Sequence, residues 1–141
     1  MRVKCVYKSL DELPAELTSG VAQADRIRAM GHGKPWITPG KEYVVYAVDS
    51  DLGNIWYYIL NDDDLPYPTF ELAVFFELVD PHVSKYWVFS LDKGGAFRMW
   101  PSSWFQEYYH QLLVEGDQGV VADFVRLRGA IDAEDRESRA V

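Results

Sequence analysis

Three consecutive aspartates, Asp62, Asp63 and Asp64, follow an aromatic run in the sequence YYILNDDDLPYP. Carboxylates bind hard cations when several oxygens converge on one point, but neighbours on an extended chain point in alternating directions. The sequence therefore predicts no metal or cofactor here. It favours a solvated turn in which Asn61 and the aspartates accept hydrogen bonds from nearby backbone donors. If these aspartates have a specific role, we expect them to form an exposed acidic surface that contacts Lys and Arg of a partner.

A second acidic stretch, DSDLGN from Asp49 to Asn54, has the first spacing of a calcium-binding loop. Gly53 stands at the fifth position instead of the sixth, and Leu60 occupies the twelfth, where a bidentate Glu is needed. The pattern instead predicts a hairpin turn. Asp49 and Asp51 on this turn are candidates for the same partner-steering role as the aspartate triplet.

Other residues that could support catalysis lack the spacing that catalysis needs. The segment GHGKP lacks the length and the following Ser or Thr of a phosphate loop, and the three histidines have no HxH or HxxxH spacing. No serine lies in a GxSxG elbow, and Cys5 has no histidine near it in sequence. Glu71, Glu77 and Asp80 have the spacing of any acidic loop, although a glycosidase-like pairing across a cleft stays open. We therefore expect no enzymatic activity, with an unrecognised hydrolase as a rival.

The net charge of -8 is concentrated in the middle of the chain, where residues 41–92 hold two Lys or Arg against ten Asp or Glu. That segment also contains 12 of the 21 aromatic residues. Phosphate backbones bind clustered Lys and Arg, so nucleic acid is an unfavourable partner and a basic protein a favourable one. Tyr and Trp anchor many interfaces, and we expect Trp56, Tyr58 and Tyr67 to supply contact beside the acidic residues.

Alternating and turn-forming patterns predict an antiparallel sheet over about residues 1–100. The alternation of RVKCVYK predicts a strand. The sequence predicts one hairpin from KEYVVYAV and IWYYIL, and another from KYWVFSLD and AFRMWP. Both strands of the first hairpin are apolar on both faces, which favours a barrel or a covered sheet. The expected fold class is α+β: an antiparallel SH3-like barrel or strongly curved sheet, followed by two C-terminal helices.

The period changes to helical in the last third, over about 102–132. Ser103 and Gln106 form a capping-box candidate at the start of the first helix, and Gly116 suits its end. A second helix begins near Gln118, with an apolar stripe that ends near Ile131. We expect one domain over 1–132, and a frayed or disordered tail over 133–141 because AEDRESRAV has no apolar face.

The stretch from ITPGK to FELVD resembles small bacterial SH3-like barrels, in which GK.Y.V begins a strand and YYI.ND precedes a loop and a short F..VD strand. The resemblance covers the middle third of the chain and implies a barrel topology without a catalytic residue. In general character the chain is also similar to single-domain immunity proteins of bacterial polymorphic toxin systems. Those are small, cytosolic, acidic and rich in Trp and Tyr.

The charge asymmetry, the aromatic content and the missing catalytic motifs favour a non-enzymatic inhibitor that occludes a basic partner, and the similarity to immunity proteins implies that this partner is a toxin. The alternative is a small-molecule or peptide-binding module, which would place outward aromatic residues in a concave pocket. The lone Cys5, the lack of a signal sequence and the lack of a long apolar run predict a cytoplasmic protein that does not enter a membrane. The partner's identity and the oligomeric state stay open.

Overall fold

The computed structural model describes residues 1–140 and shows an α+β fold. The strands are β1 (Arg2–Cys5), β2 (Glu42–Val44), β3 (Ala47–Asp51), β4 (Asn54–Ile59), β5 (Thr69–Leu72), β6 (Phe76–Asp80), β7 (Trp87–Leu91) and β8 (Phe97–Pro101). The helices are α1 (Ala15–Thr18), α2 (Ala24–Ala29), α3 (Tyr109–Glu115) and α4 (Gln118–Arg139), with short 3-10 helices at Leu10–Glu12, Ala73–Phe75 and Ser102–Phe105. Within residues 1–140 no helix combines the length and apolar character required to cross a bilayer.

The strands form two antiparallel sheets. One has three strands in the order β2-β1-β6, and the other has five in the order β5-β4-β3-β8-β7. Only Val45 and Tyr46 separate β2 from β3, so the chain passes directly from the first sheet into the second. The two sheets are not closed into a barrel. The predicted α+β class is confirmed, and the SH3-like barrel stays a prediction.

The second predicted hairpin is present, and the first is present in part, because KEYVVYAV divides into β2 and β3 and only β3 pairs with β4. β3 pairs with β4 in the register Asp51↔Asn54, and the two residues between them, Leu52 and Gly53, have φ values of 52° and 74°. Positive φ at both central positions is the geometry of a type I′ turn, whose twist matches that of the strands. DSDLGN is therefore a hairpin turn, and the second hairpin joins β7 to β8.

Buried side chains form two clusters. The first contains residues of both sheets and of α2, including Val3, Val48 and Ile27. The second lies where α3 and α4 pack on the five-stranded sheet, and includes Phe124 and Ile131 of the predicted apolar stripe. The five-stranded sheet thus has apolar packing on both faces, which explains why its central strands read as nearly continuous apolar runs.

The predicted capping box at Ser103 is wrong. Ser103 lies in a 3-10 helix, and its Oγ donates a hydrogen bond to Asp123 Oδ2 at 2.6 Å instead of capping a helix. The α-helix begins later, at Tyr109, and ends at Gly116 as predicted, where φ is 83°. Asp117 caps α4, because its Oδ2 accepts from the Val120 backbone N–H at 3.0 Å.

The predicted frayed tail is also wrong for the described residues, because α4 continues to Arg139. Asp135 on this last part is 2% exposed and accepts a 2.6 Å hydrogen bond from Arg2 Nη2 of β1. Arg139 Nη2 lies 3.2 Å from the same carboxylate. A buried ion pair, rather than an apolar face, thus holds the end of the helix on the sheet. Val141 lies outside the described residues.

Candidate functional site

The three aspartates of the triplet have different roles. Asp62 Oδ2 accepts hydrogen bonds from Thr38 Oγ1 at 2.5 Å and Tyr43 Oη at 2.9 Å, and Lys41 Nζ lies 2.5 Å from Oδ1. Burial opposes ionisation, but hydrogen bonds from Lys41, Thr38 and Tyr43 outweigh it and lower the pKa of the carboxyl. Asp62 therefore ties its loop to β2 and is not free to pair with a partner.

Asp63 and Asp64 are exposed. The Asp63 N–H donates to Asn61 Oδ1 at 3.0 Å, and Asp64 has φ of 55°, a left-handed conformation that Asp tolerates better than most residues. The predicted solvated turn is confirmed in this geometry. Two carboxylates extend into solvent from a loop whose base Asp62 fixes.

Trp36 lies beside this loop and is the aromatic residue that the sequence analysis missed. It is 65% exposed, and its backbone carbonyl accepts a 2.8 Å hydrogen bond from the Asp62 N–H. Trp36 follows Pro35 in the irregular segment GHGKPWITPGK. Its place outside any predicted strand or helix was the signal in the sequence that could have identified it as an exposed aromatic residue. We call Trp36, Asp63 and Asp64 the acidic lobe.

Asp49 and Asp51 differ in exposure, as the three aspartates of the triplet do. Asp49 is half-buried, accepts from Tyr58 Oη at 3.5 Å and lies 3.9 Å from Arg98 Nε. Burial raises the pKa of Asp49, and Arg98 partly offsets that effect. Asp51 is exposed, and its Oδ1 accepts from the Leu52 N–H at 2.9 Å. Of the two, only Asp51 presents its carboxylate to solvent.

The prediction that Trp56 and Tyr58 face outward is wrong. Trp56 is 1% exposed and Tyr58 is 7% exposed, because β4 is an inner strand of a sheet that is packed on both faces. Tyr67 is half-buried against the cluster under α3 and α4. None of these three is an exposed anchor, whereas Trp36 is exposed.

A concave feature lies where β8 meets α3. His110 stacks on Tyr58 with ring centroids 5.2 Å apart, and Trp104 and Trp100 approach it edge-on at 4.6 Å and 5.6 Å. Burial lowers the pKa of His110 to about 4, so the ring is neutral near pH 7. A pocket of about 360 Å³ opens here, which we call the aromatic pocket. Its lining includes Arg98, Trp100, Trp104, Phe105, Tyr108 and His110.

The aromatic pocket contains an unusual concentration of unpaired polar atoms. Among residues 1–140, the buried side-chain nitrogens without a hydrogen-bond partner are Trp100 Nε1, Trp104 Nε1 and His110 Nε2. All three residues line the same pocket. Native proteins leave few buried polar groups unpaired, and each such group needs a physical reason.

Strand β7 is an uncovered edge of the five-stranded sheet. It contains no charged residue, and Val88, Phe89 and Leu91 are exposed. The Asp92 N–H donates to Ala96 O, so the alternation of an antiparallel pair directs the N–H and C=O groups of Phe89 and Leu91 away from β8. This edge therefore combines free backbone groups with apolar side chains.

The carboxylates considered for a glycosidase-like pair do not share a cleft. Glu71 is buried on β5, where its Oε1 accepts from Thr69 Oγ1 at 2.8 Å and Asn61 Nδ2 at 3.3 Å. Glu77 and Asp80 lie on β6 in the other sheet, and Asp80 accepts from Ser138 Oγ at 2.7 Å. Within the described residues no group of three His, Cys, Asp or Glu is arranged to hold a metal ion.

Comparisons with known proteins found no matching family model, no matching curated protein and no matching solved structure.

Proposed function

We propose that this chain is a non-enzymatic bacterial binding protein of the immunity type, which occludes a basic protein partner with its acidic lobe. The observation that carries the proposal is the 65% exposure of Trp36, whose backbone carbonyl is hydrogen-bonded to Asp62, the residue directly before the exposed Asp63 and Asp64. Tryptophan is among the residues that contribute most to interface affinity when a partner covers it. Neighbouring carboxylates attract Arg and Lys and exclude acidic competitors.

The rigid base of the acidic lobe supports this proposal. Asp62 is held by Thr38, Lys41 and Tyr43, and its N–H holds the backbone of Trp36. A surface fixed before binding loses less conformational entropy when the partner docks, so more of the contact energy appears as affinity. Folding alone does not require a tryptophan to be exposed on such a base. Its exposure therefore favours a binding role.

The charge distribution supports a basic partner. Residues 41–92 hold ten acidic and two basic residues, and this segment includes Asp63 and Asp64 of the acidic lobe. Long-range attraction between such a segment and a basic partner raises association rates. As part of the proposal the compartment is the cytoplasm, in keeping with a single buried thiol at Cys5. A basic toxin that acts there is the kind of partner that the proposal requires.

We also propose that the strands form a partly open SH3-like barrel with an added hairpin. Three features support it: β1 lies between β2 and β6, β2 leads directly into β3, and a 3-10 helix joins β5 to β6. In this interpretation the β7–β8 hairpin extends the second sheet beyond β3. The barrel itself implies no activity, since such small folds support many unrelated functions.

The test starts with affinity capture from the native host lysate, with the captured protein identified by mass spectrometry and purified. Its affinity is then measured for wild type, for Trp36→Ala and for the double variant Asp63→Lys with Asp64→Lys, at low and high salt. We expect Trp36→Ala to weaken binding about 30-fold, the loss typical of a hot spot. The charge reversal should slow association and remove most of its salt dependence.

Matched controls separate the acidic lobe from general surface effects. Phe89→Ala removes another exposed aromatic residue, and Glu16→Lys with Glu107→Lys reverses two exposed acids on other segments. Both controls should bind as wild type does. Equal losses in controls and lobe variants, or no loss in the lobe variants, would contradict the proposal.

A further inference from the structure

The three unpaired nitrogens of the aromatic pocket, on Trp100, Trp104 and His110, are costly in the free protein. A buried donor or acceptor without a partner loses its bonds to water and gains nothing in return. The chain does pair its other buried indoles, because Trp56 Nε1 donates to Asp51 O at 2.9 Å and Trp87 Nε1 donates to Tyr46 O at 2.8 Å. The unpaired groups are therefore a local feature of this pocket.

Burial raises the pKa of the Tyr109 hydroxyl, and the Trp104 indole lies close enough to oppose that rise, although it makes no hydrogen bond of normal geometry. The rings around Trp100 and His110 leave their nitrogens unpaired. Trp104 and His110 meet at 81° and Trp100 and His110 at 88°, so ring edges face ring surfaces instead of acceptor atoms. His110 is neutral, with a pKa lowered by burial to about 4, and a neutral imidazole has one donor and one acceptor. The pocket lining thus includes two indole N–H donors and one nitrogen of the His110 ring, which is either a donor or an acceptor.

Two exposed residues, Phe105 and Tyr108, line the same pocket, and one of them has a strained backbone. Phe105, 40% exposed, packs on Trp100 with ring centroids 5.1 Å apart. Tyr108 is exposed and has φ of 63°, a left-handed conformation that is unfavourable for an aromatic residue. Strain of this kind concentrates at ligand sites. The three nitrogens are not exposed to solvent, so a ligand that reaches them must displace lining side chains such as Phe105 or Tyr108.

We propose that the aromatic pocket binds the base of a free nucleoside. A nucleobase is planar, stacks on aromatic rings, and carries donors and acceptors at adjacent positions on its edge, which matches Trp100, Trp104 and His110. The volume of about 360 Å³ lies at the lower end of ligand sites and suits a compact molecule.

Free nucleosides fit better than a nucleic acid strand. The chain carries a net charge of -8, and Arg98 is the cationic residue of the lining, already 3.9 Å from Asp49. Successive phosphates would meet repulsion with little counterion release in return. This inference is independent of the proposed inhibitor function, because Trp36, Asp63 and Asp64 do not line the pocket. Trp36→Ala should leave nucleoside binding unchanged.

The experiment follows the indole N–H signals of the five tryptophans by ¹⁵N–¹H NMR while adenosine, guanosine, cytidine or uridine is added to about 1 mM. Trp100→Phe and Trp104→Phe assign the two signals of interest. We expect at least one nucleoside to shift both signals downfield, as new hydrogen bonds form. The signals of Trp56 and Trp87, already paired, should not move.

His110→Leu tests the third nitrogen, with His82→Leu outside the pocket as its matched control. We expect His110→Leu to weaken nucleoside binding about tenfold, and the control to bind as wild type does. Should His110→Leu fail to fold, the indole shifts in wild type still decide the matter. Absence of shifts with all four nucleosides, equal shifts with benzene, or shifts with a single-stranded oligonucleotide only, would each overturn the proposal.

Discussion

Glu71→Gln is expected to stabilise the protein above pH 7 and to have little effect below pH 4.5. Glu71 is 4% exposed, and burial raises the pKa of its carboxyl from 4.5 to about 7, against the effect of hydrogen bonds from Thr69 and Asn61. Both bonds end on Oε1, which Gln keeps as its amide oxygen. The substitution therefore copies the protonated carboxyl and removes only the ability to ionise.

The sign of this pH effect depends on whether the folded protein or the unfolded chain binds the Glu71 proton more tightly. The folded protein binds it more strongly than the unfolded chain, so the favourable contribution is complete below pH 4.5 and is lost as the pH rises through about 7. A tenfold change in proton affinity is worth about 1.4 kcal/mol, so the loss amounts to roughly 3 kcal/mol. Glu71→Gln should recover that amount at about pH 8.

The assay is equilibrium urea unfolding of wild type and Glu71→Gln across this pH range, with the difference in free energy plotted against pH. The difference is needed because His110 acts in the opposite direction: its pKa falls from 6.5 to about 4, so its contribution grows as the pH rises between those values. Glu77→Gln, at an exposed position of β6, is the control. A difference for Glu71→Gln that stays constant with pH would refute the reasoning.

Two further predictions concern α4 and β7. Asp135→Asn removes the charge that pairs with the half-buried Arg2 at 2.6 Å, leaves Glu42 at 3.6 Å as its carboxylate partner, and should lower the free energy of unfolding by about 3 kcal/mol or more, measured by urea unfolding. Glu137→Gln, exposed on the same helix, should change little, and equal effects of the two would exclude a special role for the Arg2 pair. Phe89→Lys places a charge on the uncovered edge and should reduce self-association in sedimentation velocity, with stability changed by under about 0.5 kcal/mol. Identical sedimentation of the two proteins at high concentration would show that the edge does not self-associate.

Local patterns predicted the hairpins, since turn chemistry and apolar alternation act over a few residues. Leu52 and Gly53 form the turn that DSDLGN indicated, and Gly116 ends α3 where expected. The orientation of Trp56 and Tyr58 was beyond such patterns, because it depends on which layers cover each face of the sheet. An apolar run with covered faces leaves no alternation from which to infer an outward residue.

Long-range contacts explain the remaining differences. The end of α4 has no apolar face, and its order depends on a contact between Asp135 and Arg2, 133 positions apart. Ser103 had the spacing of a cap, but Asp123 of α4 accepts its proton instead. The position of Trp36 beside the aspartate loop involves a backbone contact with Asp62. None of these contacts has a signature in the sequence around either residue.

The Arg2–Asp135 contact also constrains how the chain folds during synthesis. β1 is the central strand of its sheet, so it stays without neighbours until β2 and β6 have left the ribosome, and Arg2 stays unpaired until Asp135 follows. At about 5–20 residues per second, that interval is roughly ten seconds. Strand β1 is thus completed long after it is made, and its apolar side chains stay exposed to aggregation during that interval.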